Sequence, residues 1–294
     1  MANNVFAASP TVVVCSVAAT FIAAGITAIN TSIIFQVDGA ELKSYVPGRA
    51  INGVTGFTVD KGYYIVAKQD MDLTDYLVPP ITIIDVPDFT DAVIVADGNS
   101  LTEGYLASSP AASYPSRLAV KEPFASQGTT VTNKGVGGQT TQQMIDDATT
   151  DIDPLYNATV HSVLVAWEMG NDLYFNGNVS GAETRFQSYC AARQAVGWKV
   201  VVCNLPARDH SVTNGGVSPA GDSDAAYNTK RLALNSWLAA NWATFADGFV
   251  DLAADAAFTT YNTTYFNADH VHLKDAGYQK VADLVAPVIT GLTF

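Results

Sequence analysis

The sequence predicts an α/β fold over residues 89–294: a five-stranded parallel sheet with helices on both faces, preceded by a small β-rich domain over residues 1–88. Three observations lead there. From Ala92 onward, short β-branched runs alternate with stretches of helical spacing, which is the rhythm of a parallel sheet with crossover helices. Up to Asp88 the runs are strand-like throughout. Between the two lies "DYLVPPITIIDVPDF", whose three prolines mark a connection, so the boundary is drawn near Asp88.

In the first part the strand candidates are "TVVVCSV", "SIIFQV", "GFTV" and "GYYIVAK", divided by Gly, Pro, Asn and Asp. The first charged residue is Asp38, which makes Thr11–Ala28 a candidate for a membrane span or signal peptide. No Lys or Arg precedes it, Thr and Ser interrupt it, and its Val, Thr and Ile suit buried strands. In the second part the strands are "AVIVA", "TTVTN", "SVLVAWE", "KVVVCNL" and "GFVDLA". Helical spacing joins Ala182, Phe186, Tyr189 and Cys190, with Gly197 as the stop; then Tyr227, Arg231, Leu234, Leu238 and Trp242; then Tyr278, Val281, Ala282, Val285 and Ile289.

Composition limits the partners. The chain is 48% hydrophobic and 15% charged, which excludes disorder. Net charge is −13, with −4 up to residue 88 and −9 beyond, and no basic block, so nucleic acid and anionic membrane surfaces are not expected as partners. Cys15, Cys190 and Cys203 are odd in number and lack metal-ligand spacing, and read as buried free thiols.

Four polar clusters fall after strands or near the end of the chain: "DGNSLTEG", "NKGVGGQTT", "WEMGNDLY" and "ADHVHLKDAGY". A strand-to-helix turn can hold a serine exposed on a rigid support, although Asn99 and Ser100 are also residues that commonly cap a helix. The glycines of the second cluster do not fit G-x-G-x-x-G, so no dinucleotide fingerprint is present. Neither His-Glu-x-x-His nor an acidic residue four positions from a helical histidine supports a metal site.

In order and content the clusters resemble the SGNH hydrolases, the GDSL esterase and lipase family, over roughly Asp91 to Phe294. The resemblance implies a flavodoxin-like three-layer sandwich and a carboxylic ester hydrolase that needs no cofactor and no metal. It places the nucleophile on Ser100, the general base on His272 and the orienting carboxylate on Asp269. It puts the oxyanion hole on the Ser100 and Gly138 amides and the Asn171 side chain.

Two positions depart from the family pattern: Asn99 stands where Asp is usual, and Met169 where the first glycine of Gly-x-Asn-Asp is usual. Asn99 is expected to preserve the loop, whereas Met169 bears on the geometry of the oxyanion hole. Of the other histidines, His161 is expected to be structural and His210 to line the pocket. His270, on a segment read as extended, is expected to point away from Ser100. The expected partner is a small-molecule or glycan ester, with short or carbohydrate-borne acyl groups favoured by connecting loops rich in small polar residues. The alternative is a surface-binding, adhesin-like or virion-type component whose hydrolase domain is secondary or degenerate.

Overall fold

A parallel sheet of five strands organises residues 89–294 of the computed structural model, which describes those residues apart from Thr213 and, before them, the backbone of six strands. Those six are β1 (Thr11–Val14), β2 (Ala19–Phe21), β3 (Ile33–Val37), β4 (Ala40–Ser44), β5 (Phe57–Val59) and β6 (Tyr64–Ala67). β1, β6, β3 and β4 pair antiparallel in that order, and β2 pairs with β5. Cys15, the rest of the Thr11–Ala28 stretch and the connection up to Asp88 lie outside the described residues.

The central strands are β7 (Val93–Gly98), β8 (Thr130–Gly135), β9 (Ser162–Trp167), β10 (Lys199–Cys203) and β11 (Gly248–Val250). All neighbours run parallel, in the order β8-β7-β9-β10-β11. Counted within this sheet the order is 2-1-3-4-5, the flavodoxin-like arrangement. The apolar runs become strands because both faces are covered: every residue of β9 is buried.

The helices are α1 (Ser100–Glu103), α2 (Tyr114–Ala119), α3 (Thr141–Asp151), α4 (Gly170–Asn176), α5 (Val179–Val196), α6 (Asp224–Asn241) and α7 (Asp275–Thr290). On one face of the sheet, Val95, Leu164, Val200 and Val202 pack with Met144, Phe186, Leu234 and Leu238 from α3, α5 and α6. α2 and α7 pack together, and α7 also meets β11. The sequence-predicted apolar positions of α5, α6 and α7 are buried, except Trp242, which follows the end of α6 and is only partly covered. Gly197 closes α5 at φ 122°, its amide donating to the Arg193 and Gln194 carbonyls.

The strand order reverses direction between β7 and β9, so the crevice outside their carboxyl ends is where a ligand is expected. Ser100 follows β7 and Asn171 follows β9.

Candidate active site

Ser100 owes its position to the tight exit from β7. A Cβ on Gly98 would stand 2.3 Å from the Trp167 carbonyl oxygen, so only glycine lets β7 pass β9 this closely at the turn. Capping falls to Asn99, whose Oδ1 accepts the Leu101 amide at 2.8 Å. Ser100 therefore opens α1 with its hydroxyl free of capping duty. Its Oγ lies 2.8 Å from His272 Nε2.

His272 comes from the turn before α7. Asp269 Oδ1 accepts the Val271 and His272 amides at 3.1 and 3.0 Å, and Oδ2 lies 2.5 Å from His272 Nδ1. A tautomer with hydrogen on Nδ1 donates to Asp269 and leaves Nε2 to accept from the Ser100 hydroxyl. Burial works to raise the Asp269 carboxyl, but the His272 ring and the two amides outweigh it and hold it at about 2. The Tyr105 ring packs edge-on to the imidazole at 4.7 Å.

Gly138 and Asn171 border the same cavity, of about 270 Å³, as Ser100 and His272. Gly138 adopts φ +78°, a left-handed backbone that a side chain would strain, although a Cβ there would meet nothing within 4 Å. Among the described residues no acceptor takes the Ser100 or Gly138 amide hydrogen. Asn171 Nδ2 donates to the Gln139 carbonyl at 2.9 Å, tying the β9 loop to the β8 loop. Met169 holds φ +86° in a fully buried position, so the loop keeps the backbone shape that glycine would take, now carried by a strained residue.

Glu168, which closes the strand run and opens the cluster "WEMGNDLY" without an expected role of its own, sits behind both loops. Its Oε1 accepts the Asn171 amide at 2.8 Å, and its Oε2 accepts from Asn99 Nδ2. Burial, then the Asp172 charge, raise its carboxyl well above the ordinary carboxylate range. The expectation for Asn99 thus acquires a cause: the loop forms with a neutral donor because a buried carboxyl faces it.

Two expectations about histidine need correction. His210 does not line the cavity; it is fully buried between the Tyr174 and Tyr227 rings, 5.5 and 4.6 Å from its own. Burial and then the Arg208 charge lower its imidazole. The cavity position falls instead to Arg208, two residues earlier. His270 does lie apart from Ser100, but on a turn with φ +58° and not on an extended segment. Its Nδ1 meets Asp209 Oδ2 at 2.6 Å and its ring stacks on Tyr261 at 3.6 Å. The stretch is too short and too crowded with local hydrogen bonds to run straight. His161 stacks against Phe294, consistent with a structural role. Cys190 and Cys203 are buried free thiols. Among the described residues, no group of His, Cys, Asp and Glu could hold a metal ion, and no helix is long and apolar enough to cross a membrane.

Residues 96–280 match the model of the GDSL-like lipase/acylhydrolase family. Among solved structures, a lipase/acylhydrolase from Enterococcus faecalis is 22% identical with a TM-score of 0.51, the match covering 69% of this chain and 97% of that one. A protein described as an acylhydrolase, from Bacteroides fragilis NCTC 9343, is 24% identical at a TM-score of 0.50, covering 69% and 89%. A G-D-S-L lipolytic family protein from Desulfitobacterium hafniense DCB-2 is 15% identical at 0.50, covering 67% and 98%. These likenesses are of fold. No curated protein matches the chain in sequence.

Proposed function

The chain belongs to the GDSL-like lipase/acylhydrolase family, and we propose that it acts as a serine esterase through an acyl-enzyme on Ser100. The observation that carries this reading is the chain of contacts from Ser100 Oγ to His272 Nε2 at 2.8 Å and from His272 Nδ1 to Asp269 at 2.5 Å. In the proposed cycle Ser100 Oγ attacks the ester carbonyl carbon as its proton passes to His272 Nε2, and Asp269 stabilises the imidazolium. The oxyanion draws hydrogen bonds from the Ser100 and Gly138 amides and from Asn171 Nδ2, each such donor supplying about two to three orders of magnitude in rate. Collapse expels the alcohol with the proton from His272. A water then gives its proton to His272 and attacks the acyl carbon, releasing the acid and restoring Ser100.

The acyl group is proposed to be short, and the alcohol small or a sugar. A recess of about 30 Å³ beside Ser100 and Asn171, far smaller than the main cavity, supports this. Residues 1–88 are proposed as an accessory β-rich domain and 89–294 as the hydrolase domain.

The direct test is initial-rate hydrolysis of p-nitrophenyl acetate by the full chain and its Ser100→Ala variant, with folding of both followed by circular dichroism. Loss of turnover in the folded variant is the expected result; equal rates would overturn the assignment of Ser100.

A further inference from the structure

The cavity has two parts, and Arg208 stands where they join. It borders the narrow recess and the wider cavity alike, a position it shares with Ser100, Asn171 and Val271. The wider part carries Tyr105 and Phe175 at its border, 50% and 43% exposed.

The guanidinium of Arg208 is fixed by ring faces rather than by acids. Its central carbon lies 3.9 Å from the Tyr174 ring centroid and 5.5 Å from that of Tyr227. The acids near the neighbouring His210 bond to other groups: Asp209 to His270 Nδ1 at 2.6 Å, Asp224 to the His210 amide at 3.0 Å, and Asp222 to Lys230 at 2.6 Å. Among the described residues Arg208 forms no ion pair. In a chain of net charge −13, a cation in the cavity wall that forms no ion pair is well placed to meet an anion. Stacking covers a guanidinium face, Nε is buried and the Tyr227 hydroxyl faces the group, so the terminal N–H groups are the part that can meet a carboxylate.

Which side of the ester bears the carboxylate follows from space. The recess is the smaller by far, about 30 against 270 Å³, so the short acyl group is assigned to it and the bulkier alcohol to the wider cavity. Building on the esterase reading above, we propose that Arg208 binds a carboxylate on the alcohol portion of the ester. The substrate class is then a short-chain acyl ester of an acidic alcohol, of which an O-acetylated uronic acid is the type.

Binding separates this inference from the chemistry. Full-length Ser100→Ala protein is titrated calorimetrically with an O-acetylated methyl galacturonoside and with the same compound methyl-esterified at its carboxyl. The free acid is expected to bind about tenfold tighter, as befits one charge-assisted hydrogen-bonded pair. The ratio should fall to about one in Ser100→Ala/Arg208→Gln and be partly kept in Ser100→Ala/Arg208→Lys. Equal binding of acid and methyl ester in the Ser100→Ala protein, or no binding of either, overturns the proposal, as does a ratio unchanged by Arg208→Gln. If the Gln variant does not fold, the ratio in Ser100→Ala and its reduction in the Lys variant still decide. Acetate release by the wild-type chain is read in parallel. Its absence alongside a tenfold ratio would sink the esterase reading and spare the carboxylate site, and the reverse pattern would do the opposite.

Discussion

Met169 shows what a single residue costs and contributes beside the site. Its φ of +86° is a conformation that an L-residue adopts at a cost of about 1–2 kcal/mol, and glycine would relieve it. The side chain, however, is fully buried in the cluster that includes Leu173, Tyr174 and Tyr227. Truncating a buried methionine costs about 2–5 kcal/mol, so packing outweighs strain. Met169→Gly is therefore expected to lower stability by roughly 1–3 kcal/mol in denaturant unfolding, although it restores the family's usual residue. An unchanged or raised midpoint would mean that the strain dominates.

At the scale of elements, the turns after β7 and β9 are locked by Asn99 and Glu168. Asn99 Nδ2 donates to Glu168, whose other oxygen accepts the Asn171 amide, so the Ser100 and Asn171 loops share one buried carboxyl. Asn99→Asp would press a second carboxyl against it, and Glu168→Gln would set one amide donor against another. The double variant, Asn99→Asp with Glu168→Gln, restores a donor facing an acceptor. Both single variants are expected to lower the melting temperature and activity, and the double to recover most of the loss, with a coupling of about 1 kcal/mol or more. Losses that simply add would contradict the lock.

This contact also marks how far the sequence could be read. The strands and long helices were legible because period and burial coincide: Tyr278, Val281 and Ile289 recur at helical spacing and face the core. Ser100, Asp269 and His272 were legible through the order of their clusters. Glu168 and Arg208 were not, because their roles arise from partners far away in sequence, Asn99 in one case and Tyr174 in the other. A polar residue closing a wholly buried strand was the one available sign for Glu168. The turn at His270 was hidden for a different reason, since its positive φ is set by the hydrogen bonds of Asp269 and Asp209 and leaves no trace in apolar periodicity.

For the whole molecule, the pH dependence of stability follows from a buried acid outside the cavity. Asp97 on β7 lies under α5 and accepts from the Tyr189 hydroxyl. Burial raises its carboxyl from 3.8 to about 7, against the opposing hydrogen bonds of Tyr189 and the Gly98 amide. Because the folded value is the higher one, the folded state holds more protons than the unfolded state between pH about 4 and about 7, and this contribution to stability is lost as pH rises through that window. Melting temperature followed across it should decline more steeply for the wild type than for Asp97→Asn, which carries no titrating group at that place. Parallel curves would show that Asp97 ionises as freely folded as unfolded.

The most direct test of the central claim is covalent trapping. The full chain is treated with an active-site-directed fluorophosphonate and the adduct is located by peptide mass spectrometry. A single adduct on Ser100 is expected, its formation slowed severely in folded Asp269→Asn and His272→Ala protein. An adduct on another residue, or none from a protein that still hydrolyses p-nitrophenyl acetate, would contradict it.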